Sequence, residues 1–410
     1  MVERSADRAD NRLYLYAGLL LLIACVVFLD LKSGDALHYQ DETEYAEIAR
    51  SIAHHFSVAD DTGQLRLGRP PGYPAAIASV YAVIEKPVAA KLENAVFLAL
   101  AVFALVVLTR RIEPRAGPLV PYLVLAYPLV VYAATLLYPQ VAGCLLFTLI
   151  LLLITADRFT SRHAVAAGLA YGALILTIPY FILLLPLIGA FLLLDRSGIR
   201  WPVFKPTVLM MCVAAAVVVP WTVRNYVQFK VFVPISTNNG SNLFIGNSAI
   251  TTPNSGRTTD IVPLCPGAQA ATTEYDFDGA MRKCALDWIS HNRAAAAWLY
   301  VGKVVNYFNY RNEIATAGEG SRWRDWGMFA TYYPLLLIAL ARLALWRRFP
   351  LTRSETLIYL LYFSNALISA IFFTRLRFRI PFDFLLIAVN AAFVARCWAA
   401  RWAGRVAVAQ

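Results

Sequence analysis

The chain has 410 residues, of which 59% are hydrophobic and only 15% are charged, and its mean hydropathy is +0.56. Soluble globular proteins carry about 25% charged and about 45–50% apolar residues, so most of this chain is expected to lie in lipid. The net charge of +11 gathers in short clusters at the ends of apolar runs, which indicates membrane topology and argues against nucleic-acid binding.

Runs long enough to cross a bilayer recur along the sequence and predict an all-α, polytopic membrane protein with about ten transmembrane helices. The first run is interpreted as a retained anchor, because no cleavage pattern follows it. Two short spans within 164–194 divide at Pro179, which cannot donate a helical hydrogen bond. The other predicted spans lie at about 13–31, 88–108, 118–137, 141–156, 206–221, 326–346, 356–373 and 380–399.

The basic clusters place both chain termini in the cytoplasm and the loop 30–87 outside it. This predicts an N-terminal transmembrane core over 1–221, a long extracytoplasmic loop over 222–326, and C-terminal transmembrane helices over 327–410.

Helical periodicity over 275–310, with aromatic and basic residues interspersed, predicts an amphipathic segment at the lipid headgroups of the outer face. A short additional span is the alternative. Cys265 and Cys284 lie in the same polar loop. They either form a disulfide, if the loop faces an oxidising compartment, or remain two free thiols.

The loop 30–87 is acidic although the protein is basic, and two of its acids begin a predicted helix. After Asp41 and Glu42, apolar residues recur at helical spacing, which predicts a helix lying along the membrane. These residues are Tyr45, Ile48, Ala49 and Ile52. Because acids at a helix N-terminus act as caps, capping is the alternative to a catalytic role for the pair.

Further along this loop, the segment 68–74 contains three prolines and two glycines. Such a composition fixes an irregular backbone just before the membrane and holds Arg69 in a restricted position.

The acid pair Asp41-Glu42, the following tyrosine and the Arg69-Pro70-Pro71 segment resemble the family of polyprenyl-phosphate-sugar glycosyltransferases, which have the membrane-embedded GT-C fold. The similarity is to the branch with bacterial relatives of protein O-mannosyltransferases and with the lipid A aminoarabinose and galacturonic acid transferases. Later landmarks of this family are matched by the segments 220–226, 242–247 and 377–381. The similarity covers nearly the whole chain, and its motifs are individually loose but specific in their order.

This resemblance implies an inverting sugar transfer outside the cytoplasmic (inner) membrane, from a polyprenyl-phosphate donor to an envelope acceptor: lipid A, a polysaccharide, a glycolipid or a protein. Asp41 is implied to be the general base on the acceptor hydroxyl, with Glu42 as its supporting partner. One carboxylate can take the attacking proton while cationic groups stabilise the departing phosphate, so neither a protein nucleophile nor a cofactor is required.

For the donor phosphate we nominate arginines at the predicted outer interface, because Arg holds phosphate oxygens bidentately. They are Arg69, Arg224, Arg377 and Arg379. Snorkelling to lipid headgroups is the alternative. Tyr45, Tyr73 and Asn242 are expected to line the substrate site, although aromatic packing at an interface would also account for the tyrosines.

The sequence departs from the family pattern in two places. Relatives carry a basic residue before the proline of the short break, where this chain has Thr177-Ile178-Pro179. Some also carry a second acid near the outer end of the third span, where this chain has Tyr138-Pro139-Gln140. These departures put a two-carboxylate mechanism and a bound divalent metal in doubt, and we assign no metal ligand.

Two other functions remain alternatives. In a transporter or channel, Asp41 and Glu42 would be acids on an ion pathway, but the spans hold almost no ionisable group away from basic residues near their ends, and no matching pair of interrupted helices is found. A polymer ligase or polymerase of related fold would share the long outer loop and would carry a more prominent set of Arg and His residues within it.

Overall fold

The computed structural model of the chain describes residues 2–195, 198–256, 260–312 and 322–408, and nearly all of them are helical or connect helices. The α-helices are α1 Val2–Ser33, α2 Gln40–His55, α3 Gly72–Tyr81, α4 Pro87–Ile112, α5 Val120–Leu125, α6 Pro128–Ala134, α7 Gln140–Ile154, α8 Ser161–Thr177, α9 Leu185–Leu193, α10 Trp201–Phe229, α11 Asn239–Ile245, α12 Pro266–Gln269, α13 Glu274–His291, α14 Arg293–Tyr307, α15 Arg322–Ala344, α16 Arg353–Ser369 and α17 Leu376–Val408. Short 3-10 helices cover Pro114–Leu119, Pro179–Leu184 and Val262–Leu264. Two two-residue strands, β1 Leu194–Asp195 and β2 Gly198–Ile199, pair antiparallel.

Among the described residues, five helices are long and apolar enough to cross a membrane. They are Asn11–Ser33, Pro87–Ile112, Trp201–Phe229, Arg322–Ala344 and Leu376–Ala400. A bent pair, Pro114–Leu125 with Pro128–Ala134, passes the same test jointly, and shorter apolar helices lie beside them. The protein is therefore a multi-pass membrane protein, and the total of about ten spans remains a prediction.

Prolines account for the places where the helices differ from the predicted spans. The region of the predicted span over 118–137 is bent: the helix axis turns by 70° between Leu125 and Pro128, because a proline ring cannot continue the preceding helix. The predicted break at Pro179 is confirmed, since α8 ends just before it and a 3-10 turn begins on it. The predicted span over 206–221 is part of the longer helix α10.

Helix α17 forms the centre of the bundle and packs against α4, α7, α15 and α16. In its apolar stretch, 83% of the residues are buried inside the protein, against 28% in α1, which therefore lies at the periphery. Because α17 is held on several sides, its first turn presents side chains at fixed positions.

Close packing of α8 on α10 depends on two glycines one turn apart, Gly168 and Gly172. A Cβ atom at Gly168 would lie 2.7 Å from the carbonyl oxygen of Met210, and one at Gly172 would lie 2.5 Å from the Cβ of Val217. Small residues at this spacing allow two membrane helices to approach closely, since dispersion contacts are what bind helices together in lipid.

Helices α11 to α14 form a layer over the end of the bundle where α17 begins. A hydrophobic cluster joins α11, α12 and α13 to Phe373, just before α17. The disulfide between Cys265 and Cys284 joins α13 to the residue that precedes α12, so the first of the two alternatives for these cysteines is confirmed. The buried ammonium group of Lys303 donates to the carbonyl oxygens of Gly246 (2.8 Å) and Phe372 (2.9 Å), which ties α14 to the bundle.

The predicted helical segment 275–310 is present as two helices, α13 and α14, which meet at Asn292. Of the predicted long loop, 257–259 and 313–321 lie outside the described residues. The three-part division at 221 and 326 stays a prediction.

We expect Cys284→Ser to lower the free energy of unfolding by about 3 kcal/mol, because the bond closes a loop between residues 19 apart in sequence and so restricts the unfolded chain. Thermal unfolding in detergent, with and without reductant, measures this. Cys212→Ser, at an exposed free cysteine, is the control. An unchanged midpoint for Cys284→Ser would contradict the expectation.

Candidate active site

A cavity of about 1240 Å³ lies between the layer of α11 to α14 and the end of the bundle where α17 begins. Its walls come from segments far apart in sequence: α2, the loop before α3, the residues before α7, the break at Pro179, the segment 234–245, α13, and the residues around the start of α17. The cavity therefore brings together most of the segments in which site residues were predicted.

Helix α2 begins with its two acids, and they point to different places. The carboxylate of Glu42 accepts hydrogen bonds from the backbone N–H groups of His38 (2.8 Å) and Tyr39 (3.1 Å), and from that of Leu137 (2.9 Å). Glu42 is fully buried and is not among the described residues that line the cavity. The predicted catalytic role of Glu42 is therefore corrected: this residue caps α2 and attaches it to the segment before α7.

Asp41 faces the cavity and is held by cationic and phenolic groups. Arg69 donates to its Oδ1 atom, while Arg377 (2.6 Å) and the Tyr138 hydroxyl (3.2 Å) donate to its Oδ2 atom. The side chain of Asp41 is only 8% exposed, so these charge-assisted hydrogen bonds compensate its removal from water. The structure thus brings together three of the residues predicted from the sequence and adds Tyr138.

Arg69 occupies the irregular segment before α3, and its guanidinium is shared by two carboxylates. It contacts Asp41 through Nη2, and Glu44 through Nε (2.7 Å) and Nη2 (2.5 Å). The ring of Tyr45, which also lines the cavity, lies 5.1 Å from its central carbon. Burial would lower the pKa of Arg69, but the neighbouring Tyr45, Asp41 and Glu44 outweigh it and raise this pKa, so Arg69 stays cationic.

Arg377 stands in the first turn of α17, over the ring of Tyr138 at 5.4 Å. Tyr138 occupies the place where some relatives were expected to carry a second acid. Burial raises the pKa of the Tyr138 phenol, so the phenol stays protonated. Its hydroxyl donates a hydrogen bond to Asp41. Its hydroxyl is a hydrogen-bond donor at this position, which is the opposite of what a carboxylate would be.

Tyr73 is not among the described residues that line the cavity, and its predicted role in the substrate site is corrected. Its ring is 1% exposed and packs edge-on against Tyr45, and its hydroxyl accepts a hydrogen bond from the side chain of Asn94 (2.8 Å). Tyr73 therefore holds α3 against α4, as the packing alternative requires.

Arg224 is likewise not among the described cavity residues, which corrects its nomination for the phosphate. It lies over the ring of Trp221 at 4.7 Å and donates to the backbone carbonyls of Val58 (3.3 Å) and Arg66 (3.4 Å). These contacts attach the C-terminal part of α10 to the loop before α3.

Arg379, two residues beyond Arg377, points into the bundle and forms a buried ion pair with Asp383 at 2.8 Å. The guanidinium also donates to the backbone carbonyl of Tyr307 and lies 3.5 Å from the ring centre of Tyr332. Its nomination for the phosphate is therefore corrected. Asp383 was missed in the sequence; its i+4 spacing from Arg379 was the available signal.

Glu274, another residue missed in the sequence, fixes the segment that carries Arg69. Its carboxylate accepts from the backbone N–H groups of Leu67 (2.6 Å) and Gly68 (2.8 Å) and pairs with Arg66 at 3.2 Å. The residues in contact lie more than 200 positions apart, so no local pattern could have revealed them.

Asn242 lines the cavity from α11, as predicted. Close contacts at both ends of α11 fix its position: a Cβ at Gly240 would lie 1.9 Å from the carbonyl oxygen of Asp278, and one at Gly246 would lie 1.5 Å from that of Phe372. Larger side chains at either glycine would displace α11 and Asn242 with it.

The rest of the cavity wall is largely apolar. It includes Phe372 and Phe373 just before α17 and Phe378 in its first turn. It also includes the residues 178–183 around the break at Pro179, where this chain lacks the basic residue that relatives carry. Of these residues, Ile182 and Leu183 are 41% and 44% exposed. The site therefore joins a charged end around Asp41 to a largely apolar wall.

Within the described part of the chain, no group of three or more His, Cys, Asp or Glu side chains is arranged to hold a metal ion. Three acids of the cavity lining, Asp41, Glu44 and Glu274, are paired with arginines.

The same overall arrangement is found in solved structures of membrane-embedded glycosyltransferases, and the chain has their GT-C fold, as the sequence resemblance implied. One such structure is the archaeal oligosaccharyltransferase AglB from Archaeoglobus fulgidus in complex with an inhibitory peptide and a dolichol-phosphate. The two chains are 12% identical with a TM-score of 0.53, and the match covers 95% of this chain and 51% of AglB, so this chain spans about half the length of AglB.

The crystal structure of ArnT from Cupriavidus metallidurans bound to undecaprenyl phosphate matches at 14% identity with a TM-score of 0.47, over 91% of this chain and 76% of ArnT. The apo structure of the same protein gives a TM-score of 0.45. No protein-family model and no curated protein sequence matches the chain.

Asp383→Ala should lower stability by about 3–5 kcal/mol, because it leaves the buried guanidinium of Arg379 without a counter-charge. Thermal unfolding in detergent measures the loss. Asp325→Ala is the control: its carboxylate is partly exposed, 3.7 Å from Arg311, and its removal should cost less than about 1 kcal/mol. Equal effects of the two substitutions would contradict a structural role for the Arg379 pair.

Proposed function

We propose that this protein is a glycosyltransferase that moves a sugar from a polyprenyl-phosphate donor to an acceptor hydroxyl on the extracytoplasmic face of the inner membrane. The observation that carries the proposal is the carboxylate of Asp41 held between Arg69 and Arg377 in a cavity whose wall is otherwise largely apolar. The GT-C fold supports it, and so does the dolichol-phosphate in the AglB structure, because a lipid phosphate has this combination of charge and apolar chain.

In the proposed reaction, Asp41 accepts the proton of the acceptor hydroxyl as the oxygen attacks the anomeric carbon from the face opposite the phosphate. The bond from that carbon to the phosphate oxygen breaks, and its electron pair stays on the lipid phosphate. Arg69 and Arg377 stabilise the charge that develops there. The configuration at the anomeric carbon inverts, and no covalent enzyme intermediate forms.

Both oxygens of Asp41 accept hydrogen bonds from neighbouring side chains, so the base has to be released before it can act. The donor phosphate provides the means, since it is an anion that competes for the same two guanidinium groups. Binding of the donor therefore frees Asp41 next to the anomeric carbon, and the base becomes available only when a substrate is present.

The apolar part of the cavity fits the polyprenyl chain. Phe372, Phe373 and the residues 178–183 line it, and among them Ile182 and Leu183 are exposed. An isoprenoid chain there would leave the site sideways and remain in the bilayer, which gains the free energy of burying apolar surface.

The acceptor would approach from the layer of α11 to α14, where Asn242, Glu274 and Arg282 line the cavity. Polar groups of this kind suit hydroxyl-rich molecules, and we propose an envelope acceptor: lipid A, a polysaccharide, a glycolipid or a protein.

In the proposed topology, with the cavity on the extracytoplasmic face, both chain termini are cytoplasmic.

Asp41→Asn tests the proposed base. Loss of the proton acceptor should lower the rate of sugar transfer by about 10²–10⁴-fold, measured with the purified protein, a panel of synthetic polyprenyl-phosphate sugars and candidate acceptors. Asp61→Asn, which alters an exposed acid paired with Arg50 at 2.7 Å, should leave the rate unchanged. Full turnover by Asp41→Asn would exclude Asp41 as the base; dissipation of an ion gradient without consumption of any lipid-linked sugar would favour a transporter.

Arg377→Ala tests the proposed phosphate site. We expect binding of undecaprenyl phosphate in detergent micelles to weaken by about 10- to 100-fold, because a hydrogen bond to a charged group contributes about 1.5–3 kcal/mol. Arg224→Ala, an arginine outside the cavity lining, should change the affinity by less than about twofold. A larger loss for Arg224→Ala than for Arg377→Ala would reverse the assignment of the two arginines.

A further inference from the structure

Glu44 is an acid of the cavity to which the proposed reaction gives no role. It lies one turn after Asp41 on α2, on the same helix face. Its Oε2 atom contacts Arg69 at both Nε (2.7 Å) and Nη2 (2.5 Å). The side chain lines the cavity and is 29% exposed, so an incoming ligand can reach it.

Arg69 does not need Glu44 to be held in place. The consecutive prolines Pro70 and Pro71 restrict the backbone that follows it, and Glu274 binds the backbone N–H groups of the two residues that precede it. The ring of Tyr45 covers one side of its guanidinium. The contact with Glu44 therefore contributes negative charge beside Arg69 more than it contributes position.

The four side chains at the charged end of the cavity sum to no net charge, since the carboxylates of Asp41 and Glu44 balance the guanidinium groups of Arg69 and Arg377. A sugar-linked lipid phosphate is a diester with one negative charge. After transfer the phosphate is a monoester that carries close to two. The arginines therefore hold the product more strongly than the donor, which opposes turnover.

We infer that Glu44 is a built-in counter-anion that competes with the lipid phosphate for Arg69 and thereby promotes release of the lipid-phosphate product. This inference rests on the proposed function. Glu44 is a positioning residue in this role: it acts on the phosphate through Arg69 and takes no part in proton transfer. Glu44 differs in this from Tyr138, which donates to Asp41 directly.

The test is the affinity and the dissociation rate of undecaprenyl phosphate for the full-length protein in lipid nanodiscs. Glu44→Gln keeps the shape of the side chain and removes its charge, so it should bind the lipid phosphate about tenfold more tightly and release it more slowly, because a like charge beside the bound phosphate has been removed. Glu44→Asp keeps the charge and should stay within about twofold of the wild type.

Glu85→Gln is the matched control, since Glu85 is an exposed acid paired with Arg50 (2.8 Å) and His54 (2.9 Å) outside the cavity lining. Its affinity for undecaprenyl phosphate should equal that of the wild type. Thermal unfolding of each variant reports whether it is folded.

Weaker or unchanged binding by folded Glu44→Gln, beside normal binding by the wild type, would overturn the inference and make Glu44 a structural support for Arg69. The proposed function would survive that result. Absence of lipid-phosphate binding by the wild type would instead overturn the proposed function, and the inference with it.

Discussion

Arg69 and Arg377 come from sequence positions 28 and 336 residues away from Asp41, and they meet at its carboxylate. At a site largely removed from water, an unmatched charge is costly, so these three side chains constrain one another's positions. The surrounding architecture serves this contact: Glu42 attaches α2, Glu274 fixes the segment of Arg69, and the packed helix α17 places Arg377. Asp41, Arg69 and Arg377 all line the cavity.

Sequence patterns were sufficient for the helical class and for the break at Pro179, because apolar length and proline chemistry are local signals. They also nominated Asp41, Arg69 and Arg377 as site residues, without predicting that the three side chains meet. They were insufficient for the directions of side chains. Tyr73 and Arg224 lie in the predicted regions but point into packing contacts, since a residue at an interface can face either way.

Two of the residues that were not found from the sequence, Glu274 and Tyr138, have partners in distant segments. Glu274 binds the N–H groups of a loop more than 200 residues earlier, and Tyr138 contacts a carboxylate on α2. In neither contact are the two partners separated by a regular, short sequence spacing. The Arg379–Asp383 pair does have a regular spacing, i and i+4. Basic residues near a helix end are commonly attributed to membrane topology, so an acidic partner for Arg379 within the span was not sought.

Arg377 and Arg379 stand two positions apart on the first turn of one helix, one facing the cavity and the other the interior of the bundle. Because they share a rigid backbone, a change that unsettles the interior arginine also displaces the exterior one. Substitution of either arginine would therefore lower turnover. A mutational scan that measures only activity would not distinguish Arg377, the proposed ligand-binding residue, from Arg379, which supports the bundle. Separating them takes a paired readout of folding and of ligand affinity, position by position along this turn.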